Sequence, residues 1–299
     1  MVKGAALPAQ TFTYDAFNRL TQIAYPDGAT ITYTYDKLGN RLAAVKSGTG
    51  VALAPRVFLQ GPYNTGTGKM SDQLRSLGMI PTSEPYTALG MAPLGNGGCA
   101  LRDSASLFSD KGDNALVDWV LLELRDAADP TDILYSQPFL LQRDGDVVDL
   151  DGASPPVFRT APAGDYFVAI RHRNHLGVMT AAPLALRSTP AVIDFTLAGT
   201  PTYGVEAQKP LGNGKMALWG GDANGNRNVK YNGSANDRLA ILAVVGLATP
   251  NNVLNIYARA DLNLDGLVKN NGTNNDRNVI LSAVGLATPN RIIVEQMPQ

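Results

Sequence analysis

From Thr30 to Tyr35 threonine alternates with Ile31, Tyr33 and Tyr35, and this period of two predicts a strand. Pro26-Asp27-Gly28, just upstream, is turn chemistry, so residues 12–44 read as a β-hairpin ladder. Ser47-Gly48-Thr49-Gly50 breaks the pattern, and beyond it only Val57-Phe58-Leu59 reads as a strand and Met70–Arg75 as a helical turn. The Pro- and Gly-rich run from Pro81 to Gly98 has no period and reads as an extended connector packed on its neighbours. Strand patterns then dominate. Val117–Leu124 partly alternates, Phe139–Arg143 and Val147–Leu150 flank the hairpin signal Asp144-Gly145, and Gly164–His172 and Val192–Phe195 complete the set. Near the C-terminus Val279, Ile280, Ala283 and Val284 follow helical spacing.

The chain repeats itself twice. Tyr14-Asp15-Ala16-Phe17-Asn18-Arg19-Leu20 recurs as Tyr35-Asp36-Lys37-Leu38-Gly39-Asn40-Arg41-Leu42. This pair resembles the YD repeats of Rhs-type bacterial surface and toxin proteins. The resemblance implies the tail of a longer array coiled into a β-sheet. The short strands at about 8–12-residue spacing over 113–199 predict a β-sandwich of immunoglobulin-like architecture. Within them Pro162-Ala163-Gly164-Asp165-Tyr166-Phe167-Val168 resembles a strand common in extracellular immunoglobulin-like modules of bacteria.

The second repeat carries chemistry. Residues 222–251 recur at 261–290, and Val245-Gly246-Leu247-Ala248-Thr249-Pro250-Asn251 returns letter for letter from Val284 to Asn290. Asp222, Asn224 and Asn226 align with Asp261, Asn263 and Asp265, oxygen-bearing residues at alternate positions, which is how a loop for a hard cation begins. Gly266 sits at position six, where the chain must turn, and Leu267 offers its carbonyl next. Asp276 closes the site from the first turn of the following helix, at position 16 rather than 12, so four residues within Lys269–Asn275 bulge out. The first unit keeps the same spacing.

Over residues 220–291 this arrangement resembles the dockerin-type calcium repeat found at the C-termini of secreted Bacteroidota proteins. The resemblance implies calcium ligands at Asp261, Asn263, Asp265, Leu267 (backbone) and Asp276. In the first unit it implies Asp222, Asn224, Asn226, Asn228 (backbone) and Asp237. There Asn226 replaces an acid and Arg227 replaces the glycine, which weakens the expected affinity. A turn repeat without metal is the competing reading of the same residues.

Composition narrows the function. Only 17% of residues are charged and the net charge is −1, which gives a nucleic-acid backbone nothing to bind. No apolar run reaches the roughly 18 residues of a spanning helix, so membrane insertion is not expected. With 2 His and 1 Cys (Cys99, read as a loop residue), thiolate zinc sites and disulfide frameworks are poorly supplied. If the strand through Arg171 continues, His172 and His175 face opposite sides at a surface strand end. The acids Asp144, Asp146, Asp149 and Asp151 read as a solvated hairpin, and the sequons at Asn232 and Asn271 as shapers of the bulge turns.

The expected organisation is therefore mainly β: a YD segment (1–50), a connector (51–112), a sandwich (113–199) and a dockerin-like domain (200–299). Residues 1–8 lack the apolar core of a signal peptide, so an export signal is expected upstream, with type IX secretion implied by the resemblance. The expected function is a non-enzymatic, calcium-stabilised structural, adhesion or assembly module outside the cell or on its surface. It would meet a protein or glycan partner, or self-associate into a fibre. A filament subunit is the alternative, and an Rhs toxin tip a more distant one, since no nucleophile–base constellation is present.

Overall fold

The computed structural model describes residues 10–25, 30–47, 50–91, 93–94, 99–101 and 103–298. The fold is mainly β, with several sheets. Thr11–Tyr14, Leu20–Ala24, Thr30–Tyr35 and Arg41–Ser47 form a four-stranded antiparallel sheet in chain order. Each Tyr–Asp pair builds a turn. Asp15 Oδ1 accepts the Phe17 and Arg19 amides, and Asp36 Oδ1 accepts those of Leu38 and Asn40. Asn18 and Gly39 supply the positive φ that closes the two turns. The expected Pro26-Asp27-Gly28 turn and residues 1–8 lie outside the described residues, as do 48–49 and 95–98.

The central body is two sheets around one apolar core. The larger orders Val147–Val148, Ile133–Gln142, Leu116–Asp126, Gly164–Arg171 and Val178–Met179, with Leu184–Leu186 also on Gly164–Arg171. The Asp144-Gly145 hairpin forms as its sequence demands, Val147 opposite Leu141 and Gly145 at positive φ. The smaller sheet has three strands, and its centre is Val51–Arg56, antiparallel to Val157–Phe158 and parallel to Ala191–Asp194. Phe139 and Phe158 meet edge to face between the sheets, ring centroids 5.6 Å apart.

One expectation needs correcting here. Val51–Arg56 falls in the segment expected to be a connector, yet it is the strand that holds the small sheet together. Its run Val51-Ala52-Leu53-Ala54-Pro55-Arg56 is too short to show a period, and Pro55 disguises a strand. Leu116–Asp126 contains the partly alternating Val117–Leu124, and its residues 116–125 are buried on both faces. Met70–Arg75 does contain a helical turn, Gln73–Ser76.

Residues 222–294 fold as two interlocked copies. Each loop leads into a helix, Asp237–Val245 or Arg277–Val284. The strand after the first helix, Val253–Asn255, pairs with Leu267–Lys269 of the second loop. Ile292–Val294, after the second helix, pairs with Asn228–Lys230 of the first. The turn repeated letter for letter explains itself in this exchange. Gly246 and Gly285 take positive φ after the helices, and the Thr249 and Thr288 hydroxyls donate to the Val245 and Val284 carbonyls. The Asn251 and Asn290 side chains then accept the amides of Asn271 and Asn232 from the opposite unit. Each turn clamps the other unit's bulge, so the same residues are required twice. The two sequon asparagines are thus engaged within the fold.

Candidate metal centre

The two loops trace the same path with the same hydrogen bonds. Asp222 accepts the amides of Asn226 (3.0 Å) and Arg227 (3.1 Å), and Asp261 accepts those of Asp265 (3.2 Å) and Gly266 (3.0 Å). Asn224 and Asn263 each accept the amide two residues on. Asn226 Oδ1 accepts the Asn228 amide, and Asp265 Oδ1 the Leu267 amide. From the start of each helix, Asp237 reaches back to the Lys230 and Asn224 amides, and Asp276 to those of Lys269, Leu262 and Asn263. The four extra residues close on themselves through Lys230 to the Ser234 carbonyl and Lys269 to the Thr273 carbonyl.

The backbone also matches where the sequences differ. Gly225 and Leu264 both have positive φ (73° and 56°), as do Arg227 and Gly266 (65° and 80°). Arg227 therefore follows the glycine's path, at the cost of about 1–2 kcal/mol that left-handed backbone imposes on a residue with a Cβ. Charge distinguishes the loops more than shape. The Arg259 guanidinium rests on Gly225, where a Cβ would lie 1.2 Å from Nη1, and its charge acts on Asp222. In the second loop the corresponding Leu264 is buried in the core, and Asp265 lies 3.7 Å from Lys269.

All ten expected residues thus line two equivalent loops. Asp222, Asp237, Asp261 and Asp276 are buried, and none has an ion-pair partner among the described residues. Burial pushes the Asp237 and Asp276 carboxyls up to about 7, with Asp222 and Asp261 the neighbouring charges that add to the rise. Burial likewise raises Asp222 and Asp261 to about 6. Among the described residues no three His, Cys, Asp or Glu side chains converge as a metal cluster. Each loop brings together two buried carboxylates with no ion pair at contact distance, the Arg259 charge acting on Asp222 and the Arg173 charge on Asp261 from further off, and its other oxygens are amide and carbonyl ones, apart from Asp265. This all-oxygen donor set fits a hard cation such as calcium and no thiophilic metal.

A second polar cluster escaped the sequence reading. The strand ends at Arg171 and the chain turns, so His172 and His175 do not part to opposite faces at the surface. Both rings are buried, at 4% and 3% exposure, with their Nδ1 atoms 3.1 Å apart. The Gly61 amide donates to His175 Nε2, which places that ring's proton on Nδ1, facing Asn174 Oδ1 and His172 Nδ1. His172 then gives its Nε2 proton to Asp118. Asp118 also accepts from Arg173 Nε (2.9 Å), the Tyr257 hydroxyl (2.7 Å) and the Trp119 amide (2.8 Å). Burial works to raise its carboxyl, but the Arg173 guanidinium, His172 and Tyr257 outweigh it and hold it well below its ordinary value. Asn174 extends the cluster to the carbonyls of Arg259 and Asp261, at the mouth of the second loop. The cluster ties the sandwich to the repeat pair. The run Arg171-His172-Arg173-Asn174-His175 is contiguous, but its partners Gly61, Asp118, Tyr257, Arg259 and Asp261 come from distant segments, so the run alone gave no sign of the cluster.

Residues 14–52 match the RHS Repeat family. The chain therefore carries an Rhs-type YD repeat, of the kind that occurs in surface and extracellular repeat proteins. No curated protein and no solved structure matches the chain. Among the described residues no helix is long and apolar enough to cross a membrane.

Proposed function

We propose that the chain is a non-enzymatic structural module of an extracellular YD-repeat protein: an immunoglobulin-like sandwich followed by a dockerin-like repeat pair that calcium rigidifies. The observation that carries this reading is the duplicated set of buried carboxylates, Asp222 with Asp237 and Asp261 with Asp276, set in matching loops with no ion pair at contact distance among the described residues. A buried, uncompensated carboxylate destabilises the fold unless it is protonated or meets a cation. Calcium supplies the charge that the loops lack. The remaining buried acid–base groups support a structural role, since Asp118, His172 and His175 spend their polar atoms on one another and on the backbone.

The module would serve attachment or assembly at the cell surface, with the repeat pair docked rigidly on the sandwich. Docking rests on buried ion pairs as well as on the Asp118 cluster. Glu295 accepts Arg171 Nη2 (3.0 Å) and the Gly177 amide (2.8 Å), while Arg125 pairs with Glu123 and donates to the Pro298 carbonyl. Thermal melts of the full chain with calcium and with excess chelator test the reading. Chelation should lower the melting temperature by several degrees, and superimposable melts would overturn it.

A further inference from the structure

The chain has two histidines, and both sit at the seam between the sandwich and the repeat pair. The turn that carries them holds the seam closed. Its Asn174 carbonyl accepts the Gly221 and Asp222 amides, and its Leu176 amide donates to the Trp219 carbonyl. The ring nitrogens are all engaged. His175 Nε2 accepts the Gly61 amide (3.1 Å), and His175 Nδ1–H faces His172 Nδ1 (3.1 Å) and Asn174 Oδ1 (2.8 Å). His172 Nε2–H faces Asp118 (3.3 Å). Two neutral rings therefore complete the network, and a further proton finds no acceptor. On His172 Nδ1 it would meet the His175 Nδ1–H, and on His175 Nε2 it would meet the Gly61 N–H. Space is equally short, since a Cβ on Gly220 would lie 2.9 Å from His175 Nε2.

The charges around the pair do not favour a third. Asp118, itself held by Arg173 and the Tyr257 hydroxyl, is the one carboxylate bonded to a ring. Across a small cavity the rings share a wall with Arg171, Arg227 and Arg259 against Asp222 and Glu295. Burial keeps both imidazoles neutral below the ordinary histidine range. Neither ring hydrogen-bonds to a calcium-loop residue among the described residues. We propose that His172 and His175 form a pH-sensitive latch: while both are neutral they hold the repeat pair on the sandwich, and protonation of either opens this seam while the sandwich stays folded. Rings that are neutral in the closed seam and free to protonate in the open one lose their stabilisation as pH falls below about 6.5. From pH 7.5 to 5.5 each ring multiplies the opening equilibrium by about ten, so the pair gives about a hundredfold. The raised loop carboxyls hold protons in the folded state and act in the opposite sense, so they cannot mimic the effect. The latch does not depend on the calcium reading and stands or falls apart from it.

The test uses the metal-free full chain in chelator, so that no calcium leaves the loops during the titration. Hydrogen exchange read by mass spectrometry from pH 7.5 to 5.5, corrected for the intrinsic pH dependence of amide exchange, reports local opening. Peptides spanning Gly61, Leu176 and Gly221–Asp222 report the seam, and Leu116–Asp126 with Ile133–Gln142 report the sandwich. Seam opening should rise about a hundredfold toward pH 5.5 while the strands stay protected. His172→Gln and His175→Gln should each reduce that rise to about tenfold. If either variant fails to fold, the parent chain still decides. With histidine labelled, its two imidazole NMR signals should keep their neutral positions for as long as the seam amides stay protected. A ring that titrates near pH 6.5 in a protected seam would overturn the proposal. So would seam opening that is independent of pH, a parent-like rise in both variants, or strands that lose protection together with the seam.

Discussion

Replacing Asp118 by Asn changes one atom type at the point where sandwich and repeat pair meet. Asp118 is fully buried and accepts four hydrogen bonds, two on each oxygen. An amide has one accepting oxygen, so its NH2 group must face either the Tyr257 hydroxyl and Trp119 amide or the Arg173 and His172 donors. Donor then meets donor, and Arg173 loses the charge that balances it. Removing one partner of a buried ion pair costs about 3–5 kcal/mol. For a folded body of this size each kcal/mol moves the melting temperature by about 2–4 °C, so a fall of about 6–20 °C is expected. Urea denaturation followed by near-UV circular dichroism gives the free energy, and calorimetry gives the melting shift. Combining Asp118→Asn with Arg173→Met removes both charges and should restore at least half of the loss. A loss below about 1 kcal/mol in the single variant would refute the assignment of Asp118 as the anchor of the cluster.

The remaining predictions concern the loops and the sandwich. Raised carboxyls hold protons in the folded state that the unfolded chain releases, so their contribution declines as pH rises from about 4 to 7. Calcium needs the ionised carboxylates, and the calcium-induced rise in melting temperature should therefore be at least twice as large at pH 8 as at pH 5.5. His172 and His175 act in the opposite sense, their stabilisation being lost as pH falls below about 6.5, but this is common to melts with and without calcium. Asn271→Ala breaks the amide contacts to Pro250 and Asn251 and should cost about 0.5–1.5 kcal/mol in urea denaturation. Residues 113–199 alone lack Val51–Arg56, the partner of two strands, and should give a circular dichroism spectrum without native tertiary signals. Residues 50–298 should recover them.

The sequence is most legible where a residue acts on its near neighbours. The YD turns, the Asp144-Gly145 hairpin and the helix after each loop all form where their local pattern places them, because caps, turns and period need only a few residues. The loops were legible for the same reason, with the duplication serving as an internal control. What stayed hidden joins distant segments. Val51–Arg56 pairs with strands about 100 and 140 residues away, and nothing in its six residues names those partners. His172 and His175 misled because the strand was extended through a turn that tertiary contacts impose at Arg171. Arg227 looked like a break in the loop pattern, whereas the backbone accepts it at positive φ and changes little.

Titration calorimetry of chelator-stripped full chain with calcium tests the central claim most directly. Binding should occur, with the second loop tighter because Asp265 adds a carboxylate to it. Asp276→Asn, which removes a buried charge while keeping the shape of the side chain, should abolish the tighter event and leave the weaker one. A chain that takes up no calcium at millimolar concentration would contradict the account.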